Sequence, residues 1–489
     1  MNPFPMTIPA RFLSAAQAQP QREIAREGEK RVKYGELLVA AANVAARVNA
    51  ETQQPNVALL LPNGIGYAAG FVGISLAGRT VVPVNFLLKP GEIAGIIADS
   101  QVDTIITAGP MAASIAATGL KIILIEEILA TAKPMAVAPP DVKPDDVAVL
   151  LYTAGTTAQP KGVMQTHRNI LSNIEGCLRA MRVEEQDVFM CLLPLFHTFG
   201  LTCTFLLPLL QGNQIVMMQR FVPSAVPKII DSHNVSLVVA VPSMFRAMLK
   251  AFAQAGRKPE SLRLCVAGGE ALTADLCTRF REISGAELVE GYGMTESSPV
   301  ISINRLGSVL PGSVGHPLDN LEVAIMGEDS SVLDTGAQGE ICVRGECVMK
   351  GYWNMPDETR STIDAEGWLH TGDLGLVEDS GHLRITGRIK ELIISAGKNI
   401  SPGEIEDVLE MHPAIDEAAV IGVNDKVRGE VPKAFIILGE HASDISTTEI
   451  IAHCREHLAD YKRPREIEFV TEMPRSMTGK ILKRMLKHP

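Results

Sequence analysis

The chain has 489 residues, a net charge of −11, and 46% hydrophobic and 21% charged residues. That length exceeds the roughly 250–300 residues at which one hydrophobic core stops growing, so a soluble globular protein of two or more domains is expected. The acidic balance excludes a nucleic-acid binder that works by bulk positive charge.

The first 19 residues lack the basic start and apolar core of a signal peptide, so none is expected, and the cytoplasm is the expected compartment. From there to about residue 150, helix and strand patterns alternate: "YGELLVAAANVAARV" (34–48) and "GYAAGFVGISLAGR" (66–79) read as helices, "NVALLLP" (56–62) and "TVVPV" (80–84) as strands. This rhythm predicts a parallel sheet with helices on its faces. "GIGYAA" (64–69) matches a dinucleotide fingerprint, but no acid follows about twenty residues on at a strand end. Glycines at a helix start near Asn63 explain it better.

"CLLPLFHTFGLTCTFLLPLL" (191–210) is free of formal charge over a bilayer-spanning length. Pro194, His197, Gly200 and Pro208 interrupt it, which predicts a buried helix lining an apolar pocket rather than a membrane span. Short strands follow at "NQIVMM" (213–218), "VSLVVAV" (235–241) and "LRLCVAG" (262–268). From about 310 to 388, Gly-rich turns separating "LEVAIM", "GEICVRG" and "HLRITG" predict a small β-rich subdomain. A boundary falls near "TGRIKELIISAGKNISPGEIE" (386–406), giving a large domain at 1–388 and a small α+β domain at 389–489. "HCREH" (453–457) matches a zinc-protease pattern too short to carry weight on a helix face. The eight cysteines lack C-x-x-C spacing, which predicts reduced thiols rather than a disulfide framework or a zinc site. The basic end "GKILKRMLKHP" reads either as a solvated helix end or as an attractor for a phosphorylated ligand.

Chemistry concentrates in five segments. "LLYTAGTTAQPKGV" (150–163) follows an apolar run but is not a P-loop. Pro160 stands where the second Gly is required, and Gly162 where the magnesium-binding hydroxyl is required. Thr153, Thr156 and Thr157 still offer hydroxyls, Gly155 lets the backbone approach, and Lys161 brings a point charge, so an anion loop is expected. "GGEAL" (268–272) and "EGYGMTESSP" (290–299) each follow a strand, where open α/β sheets bind ligands. In the second, Tyr292 can stack on a flat base, Thr295 can donate to a phosphate, and Glu296 is a hard oxygen ligand for Mg²⁺. "WLHTGDLG" (368–375) is expected to put Asp373 in a tight turn, suited to the two hydroxyls of a ribose. "PRSMTGKILKR" (474–484) places Lys480 just after a glycine.

Together these ordered segments resemble the adenylate-forming superfamily, which includes acyl-CoA synthetases, beetle luciferase and peptide-synthetase adenylation domains; "GEICVRGECVMKGYWNMPDET" (339–359) fits as well. The resemblance implies an α/β fold: a large N-terminal domain of mainly parallel sheets with flanking helices, then a small mobile C-terminal domain. It implies that residues 153–161 hold the ATP β- and γ-phosphates, and that Gly268, Gly269, Glu270, Gly291, Tyr292 and Gly293 surround the adenine. Thr295 would meet the α-phosphate, Glu296 and Thr156 the magnesium, Asp373 and Arg388 the ribose, and Lys480 the acyl carboxylate and α-phosphate. The resemblance also implies that Lys390 takes the hinge position and that Ser395, Ala396, Gly397 and Lys398 face the pantetheine of coenzyme A. Ala154 and Ala158 depart from the Ser and Gly common in the phosphate loop, which puts its flexibility in question.

The implied reaction needs no protein nucleophile: a carboxylate attacks the α-phosphorus of ATP, pyrophosphate leaves, and a thiol then displaces AMP, so catalysis rests on positioning and charge. "PLFHTFGL" (194–201) resembles the segment that sets His197 beside the acyl and thiol paths, against the plainer reading of a core histidine. Phe196, Phe199, Val241, Pro242, Met244, Phe245 and Pro299 form an apolar inventory suited to a medium or long fatty acyl chain rather than an amino acid. Arg246 would admit a dicarboxylate if it pointed inward, and is otherwise a solvated helix residue. The expected enzyme is an AMP-forming acyl-CoA synthetase using ATP, Mg²⁺ and coenzyme A. The alternatives are a ligase charging an acyl-carrier protein and an inactive binding relative, against which intact Lys161, Glu296, Asp373, Arg388 and Lys480 argue. No nucleic-acid or integral-membrane partner is expected, and a homo-oligomer is left open.

Overall fold

The structure, a computed structural model, describes residues 7–153, 160–439, 445–475 and 481–486. Contacts divide the chain into two compact units: Met1–Glu322 with Val343–Leu369, and Val323–Cys342 with His370–Pro489. The β-rich stretch at about 310–388 is shared between them.

Two large sheets build the first unit. One has seven strands in the spatial order Gly351–Tyr352, Lys161–Thr166, Val147–Thr153, Thr80–Pro83, Asn56–Leu60, Thr104–Thr107 and Lys121–Leu124. Its centre is parallel, and both faces are covered. Val57 and Leu59 enter one apolar cluster, while Ala58 and Leu60 enter another on the opposite side. Two buried faces are why "NVALL" is a continuous apolar run rather than an alternating one. The other sheet has nine strands, in the order His316–Pro317, Val300–Ile303, Glu287–Gly293, Leu264–Ala267, Leu237–Ala240, Val188–Cys191, Gln214–Met217, Glu23–Glu27 and Lys30–Lys33. From Glu23–Glu27 to Glu287–Gly293 its neighbours run parallel, as the alternating pattern predicts, and both edges turn antiparallel. The observed class is thus the expected α/β arrangement of mainly parallel sheets.

One sequence expectation is corrected here. The uncharged stretch 191–210 is not one helix: a strand ends at Cys191, and helical structure starts only at Thr198, continuing through the π-helical turn Gly200–Leu206 into Leu207–Gln211. Asn63 is the reason. Its side chain donates to Leu193 O (2.8 Å) and accepts from Leu195 N (3.2 Å), taking up backbone groups that a helix would need for itself. The helix Ile65–Leu76 starts at Gly64, as the glycines near Asn63 suggested, and the carboxylate of Glu27 accepts from Ile65 N at 2.9 Å. A carboxylate thus occupies the helix start that a dinucleotide pyrophosphate would require.

The second unit carries most of a four-stranded sheet (Leu321–Met326, Gly339–Gly345, Leu369–Val377, Leu383–Arg388) and a five-stranded one. In the latter, the long hairpin Ile415–Asp425 and Gly429–Leu438 is central, with Lys398–Ile400, Ile393–Ser395 and Glu466–Phe469 beside it. Helices Pro402–Glu410 and Thr447–His457 cover this sheet through Ile405, Leu409, Ile450 and Cys454. No described helix is long and apolar enough to cross a membrane.

Candidate active site

The predicted phosphate segment is the connection of an antiparallel hairpin. Val147–Thr153 pairs with Lys161–Thr166, and Thr153 lies opposite Lys161 at its mouth. Gly155, Thr156 and Thr157 fall outside the described residues. Gly162, which removed the P-loop hydroxyl, has a structural reason to be glycine. A Cβ there would sit 3.1 Å from Leu150 Cδ1 and 3.2 Å from both Trp353 Cβ and Tyr152 Cζ. Lys161 is held at its tip by Glu358 Oε2 (2.7 Å) and lies over the ring of Tyr352, 5.0 Å from its centroid.

Tyr352 then links this lysine to the predicted metal ligand: its hydroxyl donates to Glu296 Oε1 at 2.8 Å. Burial and the Glu296 carboxylate push the phenol well above its ordinary value, so it stays protonated as a donor. Glu296 is only 9% exposed. A buried carboxylate with one oxygen fixed by a neutral donor is the hard, anionic ligand type that magnesium takes, so the residues present fit that ion.

"GYGMTESSP" also spans a hairpin, because the strand Glu287–Gly293 runs further than expected. Gly291, Tyr292 and Gly293 lie within it and pair with Ile303, Ser302 and Val300. Gly293 is obligatory, since a Cβ would fall 1.9 Å from Pro299 O. The turn holds Thr295 and Glu296, and buried Asn173 clamps it by donating to Ser297 O (3.2 Å) and Val300 O (2.7 Å) and accepting from Val300 N (3.3 Å). Gln165 joins this turn to the His197 segment: its Nε2 donates to Thr295 O (2.7 Å) and Thr198 Oγ1 (3.1 Å).

The remaining first-unit residues converge at the C-terminal ends of parallel strands. A Cβ on Gly268 would lie 3.1 Å from the Phe199 ring and 3.2 Å from Gly291 O; one on Gly269 would lie 3.7 Å from Val241. Glu270 accepts from Ser243 N (3.3 Å) and Oγ (3.4 Å) at the start of the helix Pro242–Ala255. The His197 ring sits against Phe196 (centroids 4.7 Å), its Nε2 is buried with no hydrogen-bond partner among the described residues, and burial pushes its pKa down to about 4. Met244 is half-buried in the first turn of that helix, whereas Phe245 turns into the core, edge-to-face on Phe280 at 5.3 Å.

In the second unit, Asp373 is not in a turn. It lies inside the strand Leu369–Val377, directly opposite Arg388, and the Arg388 guanidinium meets its carboxylate at 2.8 Å. Lys390 is exposed in the short 3₁₀ turn Ile389–Glu391. Ser395 and Lys398 face each other across a two-residue hairpin whose Ala396 and Gly397 both have left-handed φ (49° and 76°). Lys398 Nζ lies 4.2 Å from the centre of the Tyr461 ring. Lys480 falls outside the described residues. Sequence reasoning missed Tyr352, Gln165 and Asn173. Tyr352 had one signal, its place in the family-like run "GEICVRGECVMKGYWNMPDET" (339–359), while the other two had none.

The AMP-binding enzyme family matches residues 12–353, and the AMP-binding enzyme C-terminal domain matches residues 404–480. The chain belongs to this family, within the adenylate-forming superfamily, and its class is that of the AMP-forming acid–CoA ligases. It is 34% identical over 522 residues to a long-chain-fatty-acid–CoA ligase of Bacillus subtilis, covering 97% of this chain and 92% of that one. It is also 34% identical over 477 residues to a feruloyl-CoA synthase of Amycolatopsis sp, with 96% of each covered. Among solved structures, ATP-bound MatB from Rhodopseudomonas palustris superposes with a TM-score of 0.91 at 27% identity, covering 99% of this chain and 98% of that one.

Proposed function

We propose that this enzyme activates a medium- or long-chain fatty acid as acyl-AMP, releasing pyrophosphate, and then transfers the acyl group to coenzyme A to give acyl-CoA and AMP. The observation that carries the substrate reading is the apolar character of the candidate side chains, beginning with Phe196, which packs on the His197 ring. Phe196, Phe199, Val241, Pro242 and Met244 are all apolar, which suits an alkyl chain better than the ammonium of an amino acid. The likeness to a fatty-acid ligase supports it. An aromatic acid of the ferulate kind is the second reading, favoured by an equally identical feruloyl-CoA synthase.

On this reading Lys161 and the 153–161 segment grip the β- and γ-phosphates, and Thr295 meets the α-phosphate. Gly268–Glu270 and Gly291–Gly293 enclose the adenine, and Asp373 with Arg388 holds the ribose. Lys480 stabilises charge on the carboxylate and bridging oxygens as the acyl–phosphate bond forms. Glu296, with Thr156, would hold magnesium, which supplies countercharge to the phosphates when bound. Residues 389–489 act as a mobile domain hinged at Lys390, with Ser395–Lys398 on the coenzyme A side.

The test is pyrophosphate release across a panel of fatty and aromatic acids, with and without coenzyme A. CoA-dependent AMP and thioester are expected from fatty acids of medium or long chain. Turnover of aromatic acids alone would replace the first reading by the second, and no thioester from any acid would overturn both.

A further inference from the structure

Outside the residues just described, one cluster combines three metal-binding chemistries. Glu340 and Cys342 stand two apart on the strand Gly339–Gly345, so their side chains share a face, and His370 lies near the start of the neighbouring strand Leu369–Val377. His370 Nδ1 is 2.8 Å from Glu340 Oε2 and 3.5 Å from Cys342 Sγ, and all three ligand atoms lie within 4.8 Å of one another. We propose that Glu340, Cys342 and His370 form a binding site for a thiophilic divalent cation of the zinc class.

Four arguments support the site. A tetrahedral zinc ion sets a ligand sulfur and nitrogen about 3.5 Å apart, and a nitrogen and oxygen about 3.3 Å apart, so the observed spacings need only small adjustments. The donor set of thiolate, imidazole and carboxylate selects zinc or its neighbours over magnesium or calcium. Glu340 is already oriented through its other oxygen, which accepts from Gly372 N at 2.9 Å. Cys342 is fully buried at the base, while the His370 and Glu340 side chains are 25% and 19% exposed, which leaves an entry path and a fourth position for water. On binding, the thiol proton leaves to solvent and the imidazole proton moves to Nε2, freeing Nδ1 to coordinate. Cysteine spacing alone gave no hint of the site, because its ligands are three different residue types on two strands.

The test is titration of metal-free full-length protein with Co²⁺ and Zn²⁺. One equivalent of Co²⁺ should bind with a thiolate-to-metal charge-transfer band. Cys342→Ser should lose that band, and Glu340→Gln and His370→Gln should each weaken binding at least about tenfold. If Cys342→Ser fails to fold, the other two variants decide. Absence of the band in the wild type, or unchanged affinity in all three variants, overturns the proposal. So does binding that is lost only with His453→Gln, which would put the ion on the helix Thr447–His457.

Discussion

At the scale of single residues, His197 and Gly293 show two kinds of constraint. His197 is buried and neutral: its pKa, and that of buried His167, is pushed from 6.5 down to about 4. Between those values the unfolded chain binds more protons than the folded one, so stability is lost as pH falls through that window. Thermal melts at pH 7.5, 5.5 and 4.5 should show this, with a shallower acid loss in His197→Asn. Gly293→Ala drives a methyl into Pro299 O and should cost roughly 1–3 kcal/mol. ATP-dependent pyrophosphate release should fall at least about tenfold with it, because the displaced hairpin carries Thr295 and Glu296. The glycine was visible in the sequence, but its reason was not. "GYGMTE" looked like a loop that needs backbone freedom, whereas the residue is squeezed inside a strand.

At the scale of elements, the first-unit part of the candidate site holds a pair of hairpins tied by side chains distant in sequence. The sequence made both glycine-bearing segments legible, because strand-then-loop patterns and ligand-type residues are local signals. The ties were not legible. Tyr352 reaches Glu296 across 56 residues and Gln165 reaches Thr295 across 130, distances at which no periodicity speaks. Asp373 was misplaced for the same reason, since its strand is defined by pairing with Leu383–Arg388 rather than by its own glycine. Asn173→Ala would leave two carbonyls and one N–H unpaired beneath the turn. It should cost roughly 2–3 kcal/mol and raise the KM for ATP, measurable by urea unfolding and by pyrophosphate release.

At the scale of the molecule, the α/β class was readable from alternating patterns. The mixed origin of the second unit was not, because Val323–Cys342 joins it through sheet contacts far along the chain. That unit has its own pH signature. Burial raises the Glu410 carboxyl from 4.5 to about 7, so the folded form holds a proton there that the unfolded form releases. Stability from this group is full below about 4.5 and is lost as pH rises toward 7. Glu410→Gln should therefore stabilise by roughly 1–2 kcal/mol at pH 8 and by little at pH 4.5, read from melts of the full chain. If Lys480 acts as proposed, Lys480→Ala should abolish acyl-AMP formation while sparing thioester formation from supplied acyl-AMP. Equal loss of both steps would contradict that role.

Lys161 does not wait bare at the mouth of its hairpin; Glu358 already holds it at 2.7 Å. If this lysine grips nucleotide phosphate, loading ATP is an exchange of one anion for another, and the displaced carboxylate competes for the same cation. Glu358→Gln should then tighten ATP binding, seen as a lower KM for ATP with kcat preserved. The wild type's nucleotide affinity should be set partly by how readily Glu358 lets go.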